Sequence, residues 1–96
     1  DLLGANDTGW RVTMRVPDRD GEFSRLTKAM LDRGWGIMAM GSVRAPKQPE
    51  YWDIVLKVRR CTHDELLAAL EEIPDQKLID LRETKVHTGQ LGLKPK

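Results

Sequence analysis

The sequence predicts an α+β domain in which strands and helices follow one another in the order β-α-β-β-α-β. Three segments carry apolar side chains at every second position, which is typical of strands with one buried face. Two other segments carry them at helical spacing and are bounded by helix start and stop signals. The 96 residues are 40% apolar and 32% charged, as in a single folded domain.

The first strand is predicted over Trp10–Val16, and Pro17 ends it because proline donates no ladder hydrogen bond. The first helix is predicted from about residue 21 to residue 33. Asp20 is the expected N-cap and Gly34 the expected left-handed stop. The inward face of the strand carries Trp10, Val12, Met14 and Val16.

The second and third strands are predicted over residues 37–44 and 51–59, joined by a turn at residues 45–50 that contains two prolines. Alternation in the third strand directs Trp52, Ile54, Leu56 and Val58 to one face. In the second strand it places Ile37, Ala39, Gly41 and Val43 on one face and Met38, Met40 and Ser42 on the other.

The second helix is predicted to begin at a capping box formed by Thr62 and Glu65 and to end before Pro74. A last strand follows at about residues 77–83. The apolar stripe of the helix carries Leu66, Leu67, Leu70 and Ile73.

Two right-handed β-α-β crossovers of this length give the ferredoxin-like arrangement, a four-stranded antiparallel sheet of order 4-1-3-2 with both helices on one face. We expect residues 1–9 to form a leader or linker, 10–83 the domain and 84–96 a flexible tail. The opening residues, Asp1 to Gly4, resemble the last turn of a helix, so we expect the chain to be part of a longer protein. The uncovered sheet face is expected to be covered by self-association. Its apolar members are Met38, Met40, Tyr51, Val55 and Leu78.

Charge and composition limit the classes of function that the chain is expected to have. The net charge of +1 gives no electrostatic reason to expect nucleic acid or an anionic membrane as the main partner. No apolar run approaches the roughly 20 residues that span a bilayer. The single cysteine, Cys61, fits a reducing cytoplasm. No nucleophile with its base, no carboxylate pair and no set of metal ligands can be assembled, so we expect a protein without catalysis, metal or cofactor.

Two segments, Val16–Phe23 (VPDRDGEF) and Leu31–Ile37 (LDRGWGI), resemble the ACT domain, a small regulatory module that commonly binds amino acids or similar ligands. The likeness covers about residues 10–83. Gly21 falls on the signature glycine of the family's first loop. Leu3-Gly4 followed by Thr8-Gly9-Trp10 is similar to the junction in acetoin-utilisation-type proteins, where paired CBS domains precede an ACT domain.

This resemblance implies a dimer, formed through the open sheet face or an edge strand, that binds a small ligand and controls attached CBS-type domains. The ligand, an amino acid or similar anion, would lie between the first loop of one protomer and the second strand of its neighbour. The implied contacts are Asp18, Arg19, Asp20, Gly21, Glu22 and Phe23 on the loop and Gly36, Ile37, Met38 and Met40 on the strand.

Two residues depart from the family pattern. Asp20 stands where the family often has proline, and Gly36 stands where it often has asparagine. The Asp20 carboxylate would repel a ligand carboxylate, and Gly36 offers no amide to hold one. A purely structural dimerisation module without a ligand is therefore the alternative. Gly21 and Asp20 also have structural roles open to them, as a tight helix entry and a plain N-cap.

Overall fold

The computed structural model describes residues 8–85, and the expectations for residues 1–7 and 86–96 lie outside this range. The elements are β1 (Thr8–Pro17), α1 (Glu22–Leu31), β2 (Gly36–Arg44), β3 (Tyr51–Arg59), α2 (His63–Glu71) and β4 (Lys77–Lys85). The sheet is antiparallel throughout with the order β2-β3-β1-β4, which is the predicted order read from the other edge. The ferredoxin-like fold is confirmed, and β1 and β4 each extend two residues beyond the predicted limits of the domain.

One hydrophobic core lies between the sheet and the two helices. The inward side chains of β1 and β3 pack against the apolar stripes of α1 and α2, and Trp35 closes one end beneath the Arg33 guanidinium. Of the large apolar residues of α1, Leu26 and Met30 are buried, whereas Phe23 and Leu31 are 46% and 54% exposed. The core cluster consists of Val12, Met14, Val16, Leu26, Met30, Trp35, Ile54, Leu56, Val58, Leu66, Ala69, Leu70 and Ile73.

A β-bulge in β2 changes which side chains face the helices. Ala39 pairs with Leu56 and Gly41 pairs with Val55, which leaves Met40 as the extra residue. A bulge shifts the alternation by one position. The prediction was therefore wrong beyond the bulge: Ser42 and Arg44 lie on the helix side, opposite inward residues of β3, whereas Gly41 and Val43 lie on the open side.

A second bulge, in β4, leaves Ile79 unpaired between Leu78 and Asp80. Leu78 pairs with Met14 and packs against the core, so its predicted place on the open face was wrong.

The helix boundaries show one predicted cap confirmed and another corrected. The Thr62 hydroxyl accepts from the Glu65 N–H at 3.2 Å, and the Glu65 carboxylate accepts from the Thr62 N–H at 2.9 Å, which is the capping box. At α1 the N-cap is Gly21 and not Asp20, because the chain passes through a left-handed residue before it enters the helix. Gly34 has a φ of 81° and ends α1 as predicted.

Candidate functional site

The two predicted walls of the ligand site lie at opposite ends of the sheet. Pro17, where the first loop begins, pairs with Tyr51, whereas Gly36 pairs with Arg59 at the other end of β3. Strands rise about 3.3 Å per residue, so the two ends of β2 are roughly 26 Å apart. A single protomer therefore does not bring residues 18–23 and residues 36–38 together.

The loop between β1 and α1 takes its shape from Gly21. Its φ of 85° is a left-handed conformation that costs glycine little and other residues more. A Cβ added there would meet nothing within 4 Å, so the glycine is required by backbone conformation and not by close packing within the protomer. No side chain caps this end of α1.

Charged side chains of the loop are paired within the protomer. The Arg19 guanidinium lies 2.8 Å from the Glu22 carboxylate and 3.1 Å from that of Asp75. The Arg44 guanidinium donates to the Asp18 carboxylate at 2.9 Å and stacks 4.1 Å from the centre of the Trp52 ring. This ion pair holds the pKa of Asp18 below its ordinary value. Arg19, the cation of the loop, is therefore already paired with two carboxylates.

Glu22 is buried, with only 4% of its surface exposed, which the sequence did not indicate. The Gln76 amide nitrogen donates at 2.9 Å both to its carboxylate and to its backbone carbonyl oxygen. The hydrogen bond from Gln76 is the main cause that holds the pKa of Glu22 below the usual carboxylate range, and Arg19 and Arg25 lower it further against the effect of burial. Glu22 therefore ties α1 to the segment before β4.

A cavity of about 360 Å³ lies beside the loop, but its chemistry is acidic. Three carboxylates and one already paired arginine line it, which disfavours an anion. Its lining residues are Pro17, Asp18, Arg19, Glu50, Tyr51 and Asp75.

A more apolar groove of about 370 Å³ lies between the first turn of α1 and β2. Phe23 was predicted to contact a ligand and lines this groove, but the other lining residues were not predicted. The bulge at Met40 turns Ser42 toward this side, and the neighbouring Gly41 is a sequence signal that could have indicated it, because a glycine inside a strand often marks a bulge. The groove is lined by Phe23, Ala39, Gly41, Ser42, Trp52 and Ile54.

The edge strand β2 concentrates the exposed apolar surface. Met38, Met40 and Val43 are 62%, 52% and 61% exposed. Every residue of β2 from 38 to 44 is exposed, and one side of the strand has no neighbour in the sheet. Monomeric proteins seldom leave a long apolar edge uncovered, because its backbone groups can pair with another chain.

The wall at residues 36–38 differs in character from the loop. Gly36, Ile37 and Met38 line a cavity of about 400 Å³ together with three cationic side chains, Lys57, Arg59 and Arg60. Predicted contact Met40 lies further along β2, where it lines a shallow depression of the open face with Arg11 and Val55.

Other chemistry is sparse across residues 8–85. No three His, Cys, Asp or Glu side chains in this range could hold a metal ion together. Within the same range no helix has both the length and the apolar character needed to cross a bilayer. Burial, with a smaller effect from Glu65, raises the pKa of the Cys61 thiol to about 11.

No family model matches the chain, and no curated protein matches it significantly.

Proposed function

We propose that the chain is an ACT-like regulatory domain that dimerises through the β2 edge and binds a small ligand at the dimer interface. The observation that carries the proposal is the edge itself. Three large exposed apolar side chains lie along one edge strand, next to an apolar groove at the head of α1. A second copy of the chain offers a complementary edge, because two such strands can pair around a two-fold axis.

Antiparallel pairing of two β2 strands explains how the separated walls of the site could meet. With the axis near the middle of the strand, Gly36 of one protomer would lie beside Arg44 of its partner. That end of β2 adjoins the first loop, since Arg44 forms an ion pair with Asp18. Residues 36–38 of one protomer would then complete the groove beside Phe23 of the other.

The groove favours a small molecule with an apolar part and an anionic group, such as an amino acid. Phe23 and Trp52 supply apolar surface, and Ser42 supplies a hydroxyl. The uncapped start of α1 supplies backbone N–H groups and the positive end of the helix dipole. A ligand bound at such an interface would stabilise one arrangement of the two protomers, and attached CBS-type domains would respond through linkage in the cytoplasm.

A structural dimerisation module without a ligand is the second candidate. The pairing of Arg19 with Glu22 and Asp75 favours it, because the loop then has no cation left to attract an acid. Both candidate functions require the dimer and differ only in whether the groove binds a ligand.

Sedimentation velocity tests the dimer with a matched pair of variants. Met40 and Ile79 are both exposed bulge residues, on the two opposite edge strands. Met40→Lys would place a charge in the proposed interface, so we expect the wild-type dimer to become a monomer. Ile79→Lys makes the same chemical change on β4 and should remain dimeric. A wild-type monomer, or a dimer that Met40→Lys leaves intact, would contradict the proposal.

A thermal-shift screen against amino acids and nucleotides separates the two candidates. A ligand that binds only the folded dimer raises the melting temperature with a free energy of RT ln(1 + [L]/Kd). We expect at least one amino acid to raise it, and Ser42→Tyr, which would fill the groove, to abolish the effect. No shift across the panel would favour the structural module.

A further inference from the structure

The open face of the sheet carries like charges at directly opposed positions. Lys57 of β3 pairs in register with Arg11 of β1, and Arg11 pairs in register with Arg82 of β4. Side chains opposed in this way have Cβ atoms about 5 Å apart, and like charges there destabilise a sheet. Asp80 neutralises Arg82 at 2.8 Å, but neither Lys57 nor Arg11 has an ion pair within residues 8–85.

The next row of the same face forms a recessed floor. Arg59 pairs in register with Gly9 on one side and Gly36 on the other, so two glycines flank it. The Lys57 Cε atom lies 2.9 Å from the place that a Cβ on residue 9 would occupy. A side chain at either glycine would therefore push a neighbouring cation outward.

Arg60 joins this floor because of its backbone. Its φ of 72° is left-handed, which ends β3 and breaks the alternation of side chains. The Arg60 Nη2 atom consequently lies 2.9 Å from the place that a Cβ on Gly36 would occupy. A non-glycine residue in this conformation costs stability, and such strain is often retained at functional sites.

We propose that these side chains form an anion site for a phosphorylated small molecule. The phosphates would contact Lys57 and Arg60 in the cavity of about 400 Å³ over Gly36, with Arg11 on the next strand providing further attraction. Arg59 makes an interaction of its own, and the site does not depend on it. The net charge of +1 does not reveal this cluster, because the fifteen acidic residues of the chain nearly balance its sixteen basic ones. Three of these carboxylates line the cavity beside the first loop, at the other end of the sheet.

The lining of the cavity favours an organic phosphate over inorganic phosphate. Ile37 and Met38 line it beside the cations, and Met38 is 62% exposed. Apolar surface next to a phosphate site can contact a base or another organic group. The site lies within one protomer and needs no dimer, so it can be tested independently of the function proposed above.

Isothermal titration calorimetry with ATP and with pyrophosphate as probes tests the site. We expect both to bind, ATP more tightly, with affinities that fall as salt is raised. Lys57→Ala and Arg60→Ala should each weaken ATP binding about tenfold, the usual cost of losing one charged hydrogen bond. Lys47→Ala is the matched control: it removes a cation that also has a left-handed backbone, φ 62°, at the other end of the sheet, and should change binding less than about twofold.

Gly36→Ala separates a built site from general attraction to positive charge. It leaves the net charge unchanged but displaces the Arg60 guanidinium, so ATP binding should weaken severalfold. The proposal is overturned if ATP does not bind at low salt, if Lys47→Ala weakens binding as much as Lys57→Ala, or if Gly36→Ala has no effect. Binding of an oligonucleotide without measurable ATP affinity would also overturn it.

Discussion

The buried carboxylate of Glu22 gives the sharpest prediction about the stability of this fold. Glu22→Ala would remove the charged acceptor of the Gln76 amide and leave it the backbone carbonyl oxygen of residue 22. A hydrogen bond to a charged group contributes about 1.5–3 kcal/mol to stability. The ion pair with Arg19 adds little, because the Arg19 side chain is 55% exposed. We therefore expect a loss of about 2 kcal/mol in the free energy of unfolding.

The same side chain predicts a dependence on pH. Because the pKa of Glu22 is lower in the folded chain than in the unfolded chain, its charge stabilises the fold above the ordinary carboxylate pKa. This contribution is lost as the pH falls through the lowered pKa. Glu22→Gln keeps an oxygen for the Gln76 amide but cannot be charged, so its stability should fall less steeply below about pH 4.5.

Urea unfolding, followed by circular dichroism between neutral and acidic pH, measures both effects. Glu71→Gln is the control, because Glu71 is an exposed carboxylate on α2. A Glu22→Ala variant within about 0.5 kcal/mol of the wild type, which is the usual range for surface substitutions, would contradict the stabilising role of Glu22. So would a Glu22→Gln variant that lost stability in parallel with the wild type on acidification.

Two further predictions concern the helix entry and the thiol. Gly21→Ala should cost about 1 kcal/mol in unfolding free energy through its left-handed backbone alone, whereas Gly41→Ala, which has equal space and no positive φ, should stay within about 0.5 kcal/mol. Equal losses in urea unfolding would show that packing and not φ decides. The Cys61 thiol, with a pKa raised to about 11, should react with a disulfide reagent at pH 8 about a hundredfold more slowly than an ordinary thiol. A rate equal to that of free cysteine would contradict its partial burial.

The fold could be predicted because local patterns and global packing agree. The alternation in β3, the capping box at Thr62 and the glycine at residue 34 each mark an element or its end, and the structure places them as predicted. The crossover rule then leaves few ways to arrange four strands and two helices.

The site was less predictable, because it depends on a strand irregularity and on long-range contacts that the alternation of apolar residues does not show. The bulge at Met40 reverses the faces of the rest of β2, which places Ser42 and not Val43 beside the groove. Asp20 has the chemistry of an N-cap, but the left-handed Gly21 takes that position. The partner of Glu22 is Gln76, 54 residues away, so only the tertiary structure reveals that the loop is tied to the segment before β4.

In the proposed dimer two β2 edges pair and bring the first loop of one protomer to residues 36–38 of the other. Paramagnetic relaxation in mixed dimers measures this directly. One chain would carry a spin label at Asp20→Cys, an exposed loop position, while the slowly reacting Cys61 stays unlabelled. The other chain would be isotopically labelled and free of spin label. We predict that the amide signals of Gly36, Ile37 and Met38 broaden in the isotopically labelled chain, which carries no spin label. Broadening confined to β4, or none at all, would contradict this arrangement of the dimer.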